Sequence, residues 1–201
     1  MVVASRPEKV PAGRGFSPEV PGYGSAVDEA DLDALVKEAQ LGSRAAFARF
    51  IRATNEEVWA FCARLVGRAD ADDATQETYL GAWRSLHSFR GESTARTWLF
   101  VIARRTAYRT MRKSSRWSEL AMKAPAPVEG PPAGTLVEIE QALDALPVDQ
   151  RSALVLTQLL GFSYAEAASI CECATGTIRS RVARARERLA AAEAEMAAGT
   201  G

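Results

Sequence analysis

The sequence contains a single histidine and only three cysteines, and no apolar run in it approaches the eighteen or so residues that cross a bilayer. Each shortage removes a class. Cys62, Cys171 and Cys173 are too few and too odd in number for a disulfide framework, and they read as buried or partly buried free thiols. The Cys171-Glu-Cys173 spacing, with His87 distant in sequence, falls short of the four nitrogen or sulfur ligands that zinc normally takes. The first residues, MVVASRPEKVPAGRG, lack the apolar centre of a secretory leader, so the expected location is cytoplasmic with no membrane insertion. There is no GxxxxGKS/T phosphate loop and no nucleophile paired with a base, so neither enzyme activity nor a cofactor is expected. Strand-like alternation is also missing, which leaves an all-helical fold.

What is present is helical periodicity and unevenly spread charge. Hydrophobic residues make up 47% of the chain, enough for folded cores. Formal net charge is zero, yet residues 28–83 hold eleven acids against six bases, and 84–117 nine bases against one acid. The pattern then repeats: 118–175 hold eight acids and two bases, 176–190 five bases and one acid. Two basic blocks, each preceded by an acidic one, suit a nucleic-acid binder that touches its ligand at two places.

Residues 1–27 are rich in Pro and Gly and read as a flexible extension. From 28 to 113, apolar residues recur at three- and four-residue spacing, predicting a helical bundle. The four prolines within 114–134 mark a linker, 135–192 form a second small helical domain, and 193–201 a tail. In the second domain Thr135 and Glu138 form a capping box for a helix reaching Leu146. Pro147 opens the next helix, which Gly161 closes, and Ser163 and Glu166 form another capping box before YAEAASIC. After a tight turn, Thr175 is expected to cap a helix with five arginines between Ala174 and Leu189. A short helix, a tight turn and a longer basic helix make a helix-turn-helix.

At about 100° per residue, Ile178, Val182, Ala185 and Leu189 form one narrow apolar stripe. Arg179, Ser180, Ala183 and Arg184 lie opposite it, and Arg181, Arg186 and Arg188 flank it. The opposite face is predicted to enter a major groove, where arginine can pair with guanine; the flanking arginines suit phosphates.

With these residues in view, the chain resembles the bacterial RNA polymerase sigma factors of the extracytoplasmic-function group. DADDATQETYLGAW (70–83), FRGESTARTWLFVIARR (89–105) and LPVDQRSALVLTQLLGFSYAEAASICECATGTIRSRVARAR (146–186) carry the resemblance, in this order and spacing. It implies two domains, sigma regions two and four, joined by the linker. Partners implied are core RNA polymerase, through the clamp helices of its largest subunit and the flap of the second-largest, and promoter DNA. Many members are also held by an anti-sigma protein. The resemblance assigns Asp72, Asp73, Gln76, Glu77 and Leu80 to the polymerase; by helical spacing Asp73, Gln76, Glu77 and Leu80 share one face, which lets Tyr79 and Trp83 turn toward the core. It assigns the loop of Ser88, Phe89, Arg90, Gly91, Glu92, Ser93, Thr94 and Arg96 to a base flipped out of the minus-ten element, and Arg105, Arg109 and Arg112 to the adjoining DNA backbone. Trp98 and Phe100 remain open between core and stacking surface. Thr175, Thr177, Arg179, Ser180, Arg181, Ala183, Arg184, Arg186 and Arg188 would read the minus-thirty-five element. A stand-alone DNA-binding regulator, or a redox protein built on Cys171 and Cys173, would have to treat the first two stretches as coincidence.

Overall fold

The computed structural model describes residues 28–120 and 141–199, all helices and connecting turns. The extension before residue 28 and the Thr135–Glu138 capping box lie outside the described residues.

The first domain opens with α1 (Glu29–Gln40), capped by the Asp28 carboxylate, which accepts from the Ala30 N–H, with Glu29 and Asp31 in the first turn. Ser43 caps α2 (Arg44–Val66) by accepting from Ala46 N–H. Gly67 then takes φ 83°, a left-handed conformation that costs glycine little, and turns the chain into α3 (Arg68–Ser85). A 3₁₀ turn (Leu86–Ser88) and an open loop lead to α4 (Ala95–Leu120). Leu32, Val36, Phe50, Val58, Phe61, Leu86 and Leu99 fill the core between these helices and are essentially inaccessible. α3 and α4 approach closely at Gly81, where an added Cβ would stand 3.0 Å from Ile102 Cγ2.

Helix α4 differs from expectation at its far end. The linker was predicted from residue 114, but the helix continues through Leu120, because nothing in SSRWSEL breaks it and the first proline is Pro125.

In the second domain, residues 141–144 are helical and the chain turns at 145, slightly before the predicted end at Leu146. α5 (Val148–Leu154) widens into a π turn (Val155–Leu159), in which Leu160 N–H reaches back to Val155 at 3.0 Å. α6 (Tyr164–Cys171) begins with the predicted capping box: Ser163 Oγ accepts from Glu166 N–H at 3.2 Å, and Ser163 N–H donates to Glu166 Oε2 at 2.8 Å. Glu172 adopts φ 54°, and the chain enters α7 (Thr175–Gly199). Thr175 is the first helical residue rather than the cap; the Ala174 carbonyl accepts the first bonds, from Thr177 and Ile178. Ile178, Val182 and Ala185 are buried, as the stripe requires, against α5 and α6.

The two domains share one continuous apolar core. Phe100 of α4 lies between Phe61 and Phe162, with ring centroids 5.4 and 4.9 Å away. α6 lies along α4, and the Arg151 guanidinium joins the end of α2 to the second domain by donating to the Arg64 carbonyl at 3.2 Å and to Asp144 Oδ1 at 2.8 Å.

Candidate nucleic-acid and polymerase interfaces

Three surfaces carry the predicted residues. On α3, the buried face consists of Ala71, Ala74, Thr75, Thr78, Tyr79 and Ala82, so Asp72, Asp73, Gln76, Glu77 and Leu80 are left outside. Leu80 is 40% exposed beside two acids and an amide. Asp72 is drawn toward α2, where its Oδ1 accepts the Trp59 indole N–H at 2.7 Å. Tyr79 turns inward as expected, its hydroxyl 2.8 Å from Thr54 Oγ1, and burial pushes its pKa up. Trp83 does not follow: it is 43% exposed, leaning on Phe47 at 4.9 Å, and adds an aromatic edge to the Leu80 surface. Asp70, Asp73, Gln76 and Glu77 face Thr106, Arg109, Thr110 and Lys113 of α4 across a groove of about 470 Å³. Acidic face and basic stripe are therefore neighbours.

The second surface is the loop into α4. Arg90, Gly91, Glu92 and Ser93 stand exposed at its tip, with Gly91 at φ 74° supplying the turn. Ser88 Oγ donates to the Ser85 carbonyl at 2.7 Å, and Thr94 Oγ1 accepts from Thr97 N–H at 3.2 Å, opening α4. Phe89 packs on Trp98 at 4.9 Å, and Phe50 lies 6.5 Å behind. Trp98 is thus half-buried support for the loop, and Phe100 is core.

Arg96 departs from its predicted role. Only 8% of it is accessible: it donates to Glu57 at 2.9 and 3.2 Å and to the Leu160 carbonyl at 2.6 Å, and lies 3.9 Å from the Phe162 ring centre. The first turn of α4 points this residue into the interdomain seam, so here it ties the domains and is not free for DNA.

Arg105, Arg109 and Arg112 form the expected exposed stripe, at the edge of a cavity of about 490 Å³ that Ile102, Arg104 and Tyr108 also line. Arg105 is paired with Glu172 from the turn of the second domain, and Arg109 donates to Thr106 Oγ1 at 3.0 Å. Nearby, Asp149 gathers Arg104 at 3.2 Å, Tyr108 at 2.5 Å and Arg181 at 2.8 Å. Burial works against the Asp149 carboxylate, but the Tyr108 hydroxyl and the Arg181 and Arg104 guanidinium groups outweigh it and hold its pKa below the ordinary value. The Tyr108 hydroxyl is pushed up by burial and by donating to that carboxylate.

On α7, Arg179, Ala183, Arg184 and Arg188 are exposed. Thr175 and Thr177 are half-buried at the helix start, and Ser180 Oγ turns back to the Thr177 carbonyl at 2.9 Å. Arg186 bonds Gln158 of the π turn. Arg181, expected on a phosphate, is instead held by Asp149 and lies 3.6 Å from Cys173 Sγ, because it sits on the α5 side of the apolar stripe. Cys62 and Cys171 are buried and Cys173 half-buried; burial pushes the Cys62 thiol up to about 11. No cluster of metal-ligating side chains occurs among the described residues. Nor is any described helix long and apolar enough to cross a membrane.

Sequence reasoning missed Arg104, Asp149 and Glu172, and it read Tyr108 as aromatic surface without its bond to Asp149, because the partners lie far away in the chain. It also missed Gln40, a polar residue four after Val36 on the apolar stripe of α1, a position that marks a partly buried hydrogen bond.

Residues 50–117 match the Sigma-70 region 2 family and residues 136–189 the Sigma-70, region 4 family. The ECF RNA polymerase sigma factor SigC of Mycobacterium tuberculosis is 42% identical over 173 residues, which span 83% of this chain and 94% of that protein. The chain belongs to the extracytoplasmic-function sigma factors. EcfG of Rhodopseudomonas palustris, another ECF sigma factor, is 45% identical over 138 residues, 66% of this chain and 76% of that one. Among solved structures, the sigma factor RpoE of Bartonella quintana in complex with the anti-sigma factor NepR is 36% identical, with a TM-score of 0.62 over 73% of this chain and 95% of that one. A sigma factor of this group acts in promoter-specific initiation of transcription, and both of its DNA- and polymerase-binding regions are present here.

Proposed function

We propose that this sigma factor divides initiation among the three surfaces. The Asp73, Gln76, Glu77 and Leu80 face, extended by Trp83, docks on a basic coiled coil of core polymerase. The Arg90–Ser93 tip takes a flipped minus-ten base while Arg109 and Arg112 follow the adjacent backbone. Arg179, Ala183 and Arg184 read the minus-thirty-five element in the major groove, and Arg188 holds phosphate. Each DNA contact is weak alone, and the polymerase scaffold makes the second intramolecular. These are binding tasks, carried out where polymerase and chromosome are, in the cytoplasm.

The observation that carries this reading is the exposure, on one chain, of the α3 acid face, the loop tip and the α7 arginine face. The described arrangement is closed, with Arg105 engaged by Glu172. Reading two separated elements requires the domains to part, which frees Arg105. A protein that clasps the closed form would act as an anti-sigma partner; the RpoE relative was solved in complex with one, NepR.

The test is reconstitution: gel filtration of the chain with core polymerase, followed by sequencing of transcripts started on genomic DNA. Co-elution and start sites sharing two spaced upstream elements are expected. A folded chain that fails to associate yet binds DNA tightly by itself would identify a stand-alone regulator instead.

A further inference from the structure

Loops that read a single base must hold their shape, yet among the described residues Arg90–Ser93 make no hydrogen bond to another element, and Ser93 Oγ reaches only the neighbouring Thr94 carbonyl, at 3.3 Å. The restraint comes from the loop's ends. Where the 3₁₀ turn runs out, Phe89 is extended at φ −71° and ψ 119°, so its carbonyl has no helical partner. The Gln40 amide fills that gap, with Nε2 donating to the Phe89 carbonyl at 2.7 Å and to the Leu86 carbonyl at 2.9 Å. At the other end, Ala95 N–H is one of the donors that the first turn of α4 leaves unmatched, and Asp33 Oδ1 accepts it at 2.6 Å. Asp33 and Gln40 are seven residues apart on one face of α1, two turns or about 10.5 Å of rigid helix.

We propose that Asp33 and Gln40 are positioning residues for minus-ten recognition, fixing the span of the loop so that its tip meets a flipped base in one geometry. The inference rests on the reading of that loop given above. It assigns a role in base selectivity to α1, which lies before residue 50, where the region 2 match begins. Neither residue touches DNA; both act through backbone groups at the loop ends. Preorganisation of this kind changes discrimination between bases, because a loop free to relax accepts wrong bases almost as well as right ones.

The experiment measures initiation by core polymerase carrying the full-length chain on promoters that differ only in the minus-ten bases. Gln40→Glu sets a carboxylate against two carbonyls, Asp33→Ala removes the acceptor, and Asp33→Asn keeps an amide oxygen for Ala95 N–H. The ratio of rates on preferred and substituted promoters is expected to fall about 10-fold or more in Gln40→Glu and Asp33→Ala, with core association intact, and to be rescued in Asp33→Asn. Gln40→Met, apolar and of similar size, replaces Gln40→Glu if the charge prevents folding. An unchanged ratio in the folded variants overturns the proposal, as does a loss of equal factor on every promoter. Wild-type protein with no minus-ten preference would overturn the reading of the loop itself, whereas wild-type preference retained in the variants removes only the positioning role.

Discussion

Arg181 and Arg184 lie three residues apart on α7 and have opposite surroundings. Arg181 is spent on Asp149, whereas Arg184 stands exposed on the side away from the apolar stripe. Arg184→Ala should therefore leave polymerase association unchanged and weaken promoters with an intact minus-thirty-five element by roughly 1–3 kcal/mol, read as initiation on promoters with and without that element. Asp149 makes a different prediction, through protons. Its pKa is depressed in the folded protein, so its contribution to stability is complete above the ordinary carboxylate value of about 4 and is lost as pH falls through the lower folded value. Thermal unfolding followed downward from pH 6 should show wild type losing more stability than Asp149→Asn below about pH 4. Parallel curves would mean that the cluster of Arg104, Tyr108 and Arg181 does not respond to that charge.

Whole elements carry the next level. The acidic outer face of α3 exists because alanines and threonines occupy its inner face, so Glu77→Lys alters the surface without touching the core. Core polymerase association should fall sharply by gel filtration while helicity by circular dichroism stays at wild type. The capping box of α6 is worth testing for stability: Ser163→Ala should cost about 1 kcal/mol in denaturant unfolding. These elements were legible in the sequence because their causes are local. Ser163 and Glu166 are three apart, and Ile178, Val182 and Ala185 repeat at helical spacing. The end of α4 was misread because a stretch without apolar period was taken for linker, although no breaker precedes Pro125. The π turn gives no periodic sign within its five residues. Arg96 and Arg181 were misplaced for another reason. Their partners, Leu160 and Asp149, lie 64 and 32 residues away, and charge alone does not say whether an arginine faces DNA or a carbonyl.

At the scale of the whole molecule, the seam between domains includes Phe100 on Phe162, Arg105 with Glu172, Asp149 with Arg104 and Tyr108, Arg151 on the Arg64 carbonyl, and the bonds of Arg96. Removing Arg96 alone takes from the buried Glu57 carboxylate the guanidinium that donates to it twice. Arg96→Ala should thus lower stability by about 3–5 kcal/mol in denaturant unfolding. Replacing both partners, as Arg96→Met with Glu57→Leu, should recover much of that stability while still losing the bond to Leu160, and small-angle scattering should then report a larger radius of gyration. A compact double variant would place the closure in the aromatic contacts instead.

One guanidinium thus serves the interior of the first domain and the grip on the second. Openness and foldedness cannot drift independently under mutation at this position, because a single change that loosens the seam also injures the domain expected to meet the minus-ten element. Two routes to a more readily opened sigma factor are altering Glu57 and Arg96 together and working through the exposed Arg105–Glu172 pair. The exposed pair is the freer of the two to vary, and divergence in regulation should accumulate there first.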